Sequence, residues 1–158
     1  MSGLSRRSKL RLRYRYEMNG INGEGEQIPD IPVVYLVLES QRARARGPAV
    51  VDTGFDGGVY PNIQVLRILE CMRPEKIKNL DHLLYGLVPC EVFRVKASLL
   101  DPSSKREVPL GLVNVYTPVE PEFLADEVLI GREVLNKLRL ELDGEWVVVE
   151  CSHARIEE

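Results

Sequence analysis

The hydrophobic and polar positions along the chain predict many short strands. Residues 10–16 alternate apolar and basic side chains, which predicts a strand with one buried face and one face covered by arginines. Residues 31–39 are nearly all apolar, so a strand there should be buried on both faces. Residues 42–48 predict an exposed hairpin connection into an apolar strand that ends at Asp52.

The middle of the chain predicts one short helix and a long hairpin. Apolar residues within 62–72 recur at helical spacing, and Pro74 closes that helix, with Cys71 as a minor core residue. Residues 76–100 predict a pair of strands joined by residues 84–87.

The last third predicts four further strands and a second short helix. Residues 108–115 form the first of these strands, and residues 116–121 form a proline-rich connection. Residues 127–130 predict a short buried strand that runs into a helix, and residues 139–149 predict a closing hairpin turned at Asp143-Gly144. We therefore expect a mostly β fold with one or two short helices.

Composition places the chain among ordinary globular proteins. It has 158 residues, of which 44% are hydrophobic and 28% charged, so we expect a single domain with a substantial core. The three cysteines are far apart and show no Cys/His ligand spacing, so we expect neither a disulfide framework nor a metal site. No secretory signal or membrane-length apolar run is present in the sequence, so we expect a cytoplasmic protein without a membrane partner.

The charge is unevenly distributed although the net charge is only −3. Residues 1–50 contain nine Lys and Arg against five Asp and Glu. Arginine interleaved with tyrosine in residues 10–16 can contact phosphates and stack on bases. Because the whole chain is acidic, a solvated strand face is the favoured interpretation, and nucleic acid is not an expected partner.

Residues 49–58 are the stretch with the clearest chemical meaning. An apolar run ends in Asp52, and Thr53 and Gly54 follow at once, with two more glycines shortly after. A strand that ends in this way presents a carboxylate from the edge of the core into a tight turn. Taken alone, an aspartate at this position is more often a strand-end cap or a turn residue than a catalytic group. A second segment, Leu129-Ile130-Gly131-Arg132, also ends a short apolar strand and enters an apolar helix.

Together the two segments resemble the retroviral-type aspartic peptidases, or retropepsins, which have an Asp-Thr-Gly loop, a hairpin flap and an Ile/Leu-Gly-Arg segment in this order. The resemblance covers roughly residues 30–150. It implies a closed β-barrel with one or two short helices and a hairpin flap. On this basis residues 1–16 are a basic N-terminal arm and possible edge strand, residues 17–151 the peptidase domain, and residues 152–158 a polar tail.

The resemblance implies an aspartic endopeptidase, and the chemistry of amide hydrolysis requires two copies of this chain. Water must be activated by a base while the leaving nitrogen is protonated by an acid. Two adjacent carboxylates that share one proton provide both groups. The chain has a single Asp-Thr-Gly, so a homodimer would bring Asp52, Thr53 and Gly54 of both copies together, without a cofactor or metal. The implied substrate is a peptide or unfolded protein.

The resemblance also assigns supporting residues. Asp56 and Arg132 would form a structural ion pair between the loop and the helix. Residues at the groove and flap are Val51, Phe55, Tyr85, Gly86, Leu129 and Ile130. Phe55 stands where the family has a small residue, which is expected to narrow the groove or move the adjacent backbone. Residues 146–150 are candidates for the dimer sheet that retropepsins build from their termini.

An alternative of another class is a retropepsin-like barrel that serves for dimerisation or peptide binding, with little or no hydrolysis. Phe55 and the uncertain position of the hairpin tip motivate it. A monomer, or two Asp52 side chains far apart in the dimer, would favour this alternative over the peptidase.

Overall fold

The structure of the protein is a computed structural model, which describes residues 8–82 and 85–153. In these residues the chain forms ten strands, two short α-helices and one 3-10 turn. The strands are β1 (Ser8–Arg15), β2 (Val33–Glu39), β3 (Arg44–Val51), β4 (Val59–Tyr60), β5 (Lys76–His82), β6 (Gly86–Leu100), β7 (Glu107–Pro118), β8 (Val128–Ile130), β9 (Arg139–Leu142) and β10 (Trp146–His153). The helices are α1 (Ile63–Ile68) and α2 (Arg132–Leu135), and the 3-10 turn is Pro121–Phe123.

Six strands close into a barrel in the order β2-β3-β8-β4-β7-β6, because β6 pairs back onto β2. Strand β5 lies outside this ring and pairs only with the first half of β6. The pairings β3–β8 and β4–β7 are parallel, and the other pairings are antiparallel. The expected mostly β fold, with a closed barrel and two short helices, is confirmed.

The barrel interior is filled by alternate residues of its strands. Along β6, Phe93, Val95, Ala97 and Leu99 are all buried in the main hydrophobic cluster. Strand β2 is buried on both faces, as its continuous apolar run predicts. One face of β2 packs into the barrel, and a further sheet lies close to the strand.

That further sheet has three strands in the order β1-β10-β9. Leu12 and Tyr14 of β1 are buried in the main hydrophobic cluster, while the intervening arginines are exposed. The guanidinium of Arg13 lies over the ring of Trp146 on β10, 4.2 Å from its centroid. The predicted strand with one buried and one arginine-covered face is therefore confirmed.

Three predictions of local structure are wrong, and in each case tertiary pairing or the end of an element is the reason. Arg44 and Arg46 lie within β3, because β3 pairs with β2 along its whole length. Tyr116 lies within β7 and not in a connection, because β7 stays paired with β6 as far as Pro118. Cys71 is exposed and has a positive φ of 74°, because α1 ends at Ile68 and the chain turns there.

Strand β10 is longer than its apolar core suggests, and it is the central strand of its sheet. It continues to His153, into the segment expected to be a polar tail. Residues 147–150 pair with β9 on one edge and with β1 on the other. The segment expected to offer a dimer edge, residues 146–150, is therefore covered on both sides over most of its length. No helix in the described part of the chain is long and apolar enough to cross a membrane.

If β1 is an integral part of the core, truncating its inner face should cost far more stability than truncating its outer face. Leu12→Ala removes a side chain that is 3% exposed, and we expect a loss of about 2–5 kcal/mol in the free energy of unfolding. Arg11→Ala, on the exposed face, should change it by about 0.5 kcal/mol or less. Urea unfolding of both variants measures the difference, and equal effects would contradict this placement of β1.

Candidate active site

The parallel pairing of β3 with β8 brings the two informative sequence segments together. Val51 at the end of β3 is opposite Ile130 at the end of β8. The Asp52 N–H continues the ladder by donating to the Ile130 carbonyl at 3.0 Å. Because the strands are parallel, the turns that follow them, Asp52-Thr53-Gly54 and Gly131-Arg132, leave the barrel at the same end.

Asp52 sits in a tight turn at the edge of the core. Its side chain is half-buried, and its Oδ1 accepts a hydrogen bond from the Gly54 N–H at 3.0 Å. Its carbonyl accepts a hydrogen bond from the Phe55 N–H at 3.2 Å. Among the described residues no other group donates to the carboxylate, so Oδ2 is available to an external partner.

Thr53 and Gly54 form the exposed tip of this loop. The Thr53 carbonyl accepts a hydrogen bond from Nη1 of Arg132 at 3.4 Å, while its hydroxyl has no partner in residues 8–82 and 85–153. The loop is thus fixed through its backbone, and one hydroxyl is presented outward.

Asp56 and Arg132 are brought together at the base of the loop. The guanidinium of Arg132 contacts the Asp56 carboxylate directly. The backbone N–H of Arg132 donates to the Phe55 carbonyl at 2.9 Å. Both side chains are about half exposed, at 47% and 56%, so the ion pair itself adds only about 0–1 kcal/mol. Its clear consequence is geometric, because it holds the loop against the start of α2.

Phe55 packs beneath the loop in a socket lined by glycine backbone. Its ring makes edge-on contacts with Tyr60 and Tyr116, at centroid distances of 5.9 and 6.2 Å. A Cβ on Gly131 would lie 2.5 Å from Cδ2 of Phe55, and one on Gly57 would lie 2.7 Å from its Cζ. The large residue is therefore accommodated because its two neighbours have no side chains.

Of the three aliphatic residues expected near the groove, Val51, Leu129 and Ile130, only Leu129 is partly exposed. Val51 and Ile130 are 8% and 0% exposed and belong to the main barrel cluster. Leu129 points to the opposite face of β8 and packs on a second apolar cluster. Val51 and Ile130 therefore support the loop from inside the barrel.

The second apolar cluster connects the loop to the hairpin of β5 and β6. Its buried members are Tyr60, Leu80, Val88, Cys90, Val92 and Tyr116, and its partly buried members are Phe55, Phe123, Ala125 and Leu129. Burial raises the pKa of the Cys90 thiol to about 11 and that of Tyr60 to about 12, so both are protonated near neutral pH.

The β5–β6 hairpin extends from the barrel, because β5 pairs only with the first half of β6. His82 pairs with Gly86, and Gly86 has the positive φ of 70° that a tight hairpin turn favours in glycine. Leu84, expected at the tip, lies outside the described residues. Tyr85 is 55% exposed, and its ring centroid is 4.8 Å from that of Phe123. The Tyr60 hydroxyl donates to the Phe123 carbonyl at 2.5 Å, and the Tyr60 ring contacts that of Phe55, so a series of contacts connects Tyr85 with the loop.

A polar group beneath the loop was not predicted. The Glu133 carboxylate accepts hydrogen bonds from the Tyr116 hydroxyl and from Nδ2 of Asn114, the latter at 3.3 Å. Burial, with a smaller contribution from Glu133, holds the pKa of Tyr116 well above its usual value. The Glu133 N–H also donates to the Gly57 carbonyl at 3.2 Å. The sequence has no signal for this contact, because it depends on how far β7 extends.

In the described part of the chain, no three or more His, Cys, Asp and Glu side chains are grouped closely enough to hold a metal ion. The arrangement at Asp52 is a single carboxylate, half-buried, on a rigid loop with an exposed tip. A lone carboxylate of this kind can act as a base or an acid, and a second carboxylate is required to supply the other role at the same time.

No protein-family model and no curated protein matches the sequence. The fold is similar to the crystal structure of a retropepsin-like aspartic protease from Rickettsia conorii, at 11% sequence identity. The alignment covers 89% of this chain and 98% of that chain, with a TM-score of 0.48. Similarity at this level establishes neither family nor activity, so the interpretation of the site depends on this chain's own residues.

The glycine socket can be tested by adding one methyl group. In Gly131→Ala the new Cβ would lie 2.4 Å from the Gly57 carbonyl oxygen and 2.7 Å from that of Phe55, so the loop must shift. We expect a loss of about 3 kcal/mol in the free energy of unfolding. Gly47→Ala is the control, because no atom lies within 4 Å of its added Cβ, and it should be close to neutral. Comparable stabilities for the two variants, measured by urea unfolding, would contradict the socket.

Proposed function

We propose that the protein is an aspartic endopeptidase that is active as a homodimer, with Asp52 from each copy forming the catalytic pair. The observation that carries this proposal is the position of Asp52. It is held at the end of a buried parallel strand, in a loop fixed on both sides by backbone hydrogen bonds, with one carboxylate oxygen available.

The proposed mechanism follows from the needs of peptide hydrolysis. Two Asp52 carboxylates across a two-fold axis cannot both be ionised at low cost, so they share one proton. The ionised carboxylate takes a proton from a bound water, which attacks the peptide carbonyl carbon. The protonated carboxyl stabilises the developing oxyanion, and proton transfer to the nitrogen then allows the C–N bond to break.

The exposed loop tip is suited to a two-fold contact. The Thr53 hydroxyl can hydrogen-bond to the loop of the second copy and keep the two carboxylates aligned. Gly54 has no side chain, so it allows the two backbones and the substrate to approach closely. An added Cβ would also lie 3.3 Å from Oδ1 of Asp52. Asp56 and Arg132 act as positioning residues, because they hold the loop against α2.

The β5–β6 hairpin would act as the cover of the site. In the proposed function Tyr85 and Gly86 close over an extended peptide and limit the access of bulk water. Leu129, with the partly buried Phe55 and Phe123 of the second cluster, offers apolar contacts to substrate side chains. The substrate is therefore expected to be a peptide or an unfolded segment of a protein.

Substitution of Asp52 tests the catalytic role. Asp52→Asn keeps the shape of the side chain but removes the carboxylate, so we expect cleavage of a peptide library to fall by at least about a hundredfold. Glu39→Gln, at the opposite end of the β2–β3 strand pair from Asp52, is the matched control and should retain full activity. A pepstatin-type inhibitor should block the wild type.

Equal cleavage by wild type and Asp52→Asn would refute the catalytic assignment. A dimer that binds peptides without cleaving them would instead favour the binding-module alternative.

A further inference from the structure

Strand β1 forms one edge of the three-stranded sheet, on the side away from β9. It pairs with β10, and no other strand in the described part of the chain pairs with its outer side. The Tyr16 N–H donates to the Glu145 carbonyl at 2.9 Å, so these two opposite residues form a hydrogen-bonded pair. Because such pairs alternate in an antiparallel ladder, the N–H and C=O groups of Arg11, Arg13 and Arg15 point away from β10.

This outer edge borders an open cleft of about 530 Å³. The cleft is lined by β1 itself, by Trp146, by Tyr35 of β2 and by residues 101–103 of the turn after β6. None of these residues belongs to the Asp52 loop or to the second apolar cluster. An uncovered strand edge beside a cleft is a template for an incoming strand.

The β1 side of the cleft is strongly basic. Arg11, Arg13 and Arg15 are exposed on one face of the strand, and none of them forms an ion pair in the described chain. The guanidinium groups of Arg13 and Arg15 lie over the Trp146 ring, 4.2 and 5.4 Å from its centroid. Three cations at alternate strand positions favour a ligand that carries acidic groups at the same spacing.

The nearby acidic side chains already have partners. The Asp101 carboxylate accepts hydrogen bonds from two serine hydroxyls of its own turn, at 2.9 and 2.8 Å. Asp143 accepts two backbone N–H groups of its turn. Glu150 is opposite Arg11 on β10 and lies 4.0 Å from Arg139. The arginines of β1 are therefore available to a ligand.

A second observation in the cleft also indicates a missing partner. Tyr14 is one of the lining residues, yet its side chain is 1% exposed and its hydroxyl has no hydrogen-bond partner among the described residues. Burial, with a smaller contribution from Asp101, holds the pKa of Tyr14 well above its usual value, so the hydroxyl stays protonated. Buried hydroxyls are nearly always paired, and an occupant of the cleft can supply the acceptor.

An extended peptide fits this edge better than other polyanions do. The edge offers N–H and C=O groups, and a peptide strand pairs with both. The phosphates of a nucleic acid are acceptors only, so the carbonyls would remain unpaired. A second copy of β1 would align arginines with arginines, because they share one face. Alternate charges thus protect the edge against its own copies and leave it open to a strand of opposite charge.

We propose that the outer edge of β1 binds an extended acidic segment of another protein as a further strand. Opposite residues of neighbouring strands share a face, so the segment places Asp or Glu opposite Arg11, Arg13 and Arg15. Its intervening residues lie on the face of Tyr14, whose ring centroid is 5.6 Å from that of Tyr35, and are expected to be apolar. The segment therefore alternates acidic and apolar residues. This inference goes beyond the proposed peptidase and does not depend on it.

Synthetic peptides test the binding. A fluorescent peptide that alternates glutamate and valine should bind at least about tenfold more tightly than one with the same residues in two blocks. The complete chain with Asp52→Asn is the parent protein in every measurement, so that cleavage cannot consume the probe. Failure of this parent to bind the alternating peptide would overturn the proposal.

N-methylation of the probe tests strand pairing itself. A strand that pairs on one side uses only alternate N–H groups. N-methylation of all glutamates, or of all valines, should therefore weaken binding at least about tenfold for one of the two peptides only. Equal binding of both peptides, with displacement by a single-stranded oligonucleotide, would indicate a general anion-binding surface and overturn the strand.

Two substitutions test the residues of the cleft. Arg13→Glu should weaken binding of the alternating peptide at least about tenfold. Arg42→Glu, an exposed arginine outside the cleft, is the matched control and should bind like the parent. Tyr14→Phe should weaken binding about threefold without lowering the midpoint of urea unfolding, since the hydroxyl has no partner in the free chain.

The outcomes are distinct from those of the proposed function. Equal binding by the Arg13→Glu and Arg42→Glu variants would refute the role of the β1 arginines. A Tyr14→Phe variant that binds the peptide like the parent would refute the role of the hydroxyl. Because the readout is binding by a chain without the Asp52 carboxylate, the result is the same whether or not the protein cleaves peptides.

Discussion

The parallel pairing of β3 with β8 is the constraint on which the candidate site depends. It brings the end of the Asp52 strand next to the end of the Leu129 strand, and the Asp52 N–H extends the ladder to Ile130. The loop that follows is then held by the backbone of Gly131 and Arg132, at a distance that only glycine allows at position 131. Phe55 fills the space beneath, so the loop is supported by backbone above and by aromatic packing below.

This constraint positions a single carboxylate in the chain's candidate site. The barrel fixes the Asp52 carboxylate in a defined position and leaves its Oδ2 without a partner among the described residues. Thr53 and Gly54 form the exposed tip of the loop. A chain with a single Asp-Thr-Gly can reach the two-carboxylate chemistry of peptide hydrolysis only through symmetry.

The sequence predicts those parts of the structure that local patterns determine. Alternation in β1 and the apolar run of β2 identify strands and their buried faces, since one strand residue in two points to the core. The Asp52 loop and the Leu129 segment can be recognised in the sequence, because each follows an apolar strand and contains residues that core strands rarely contain. Asp56 and Arg132 form an ion pair, and their part in a catalytic loop stays a prediction.

Features that depend on long-range pairing could not be predicted in this way. Tyr116 has the local signature of a proline-rich connection, yet its partner on β6 keeps it in a strand, where it meets Glu133. The sequence around the arginines of β3 is typical of an exposed loop. Only the pairing of β3 with β2 shows that this segment is a strand. From the sequence alone Phe55 is expected to narrow the groove. Only the fold shows that Gly57 and Gly131 leave room for its ring.

The central claim is that the catalytic centre exists only in the dimer, and the concentration dependence of activity tests it most directly. Peptide cleavage per mole of chain should be constant well above the dimer dissociation constant and should fall in proportion to protein concentration well below it. The same dissociation constant should describe the change in mass by sedimentation. Cleavage per mole that stays constant while the protein passes from dimer to monomer would contradict the account.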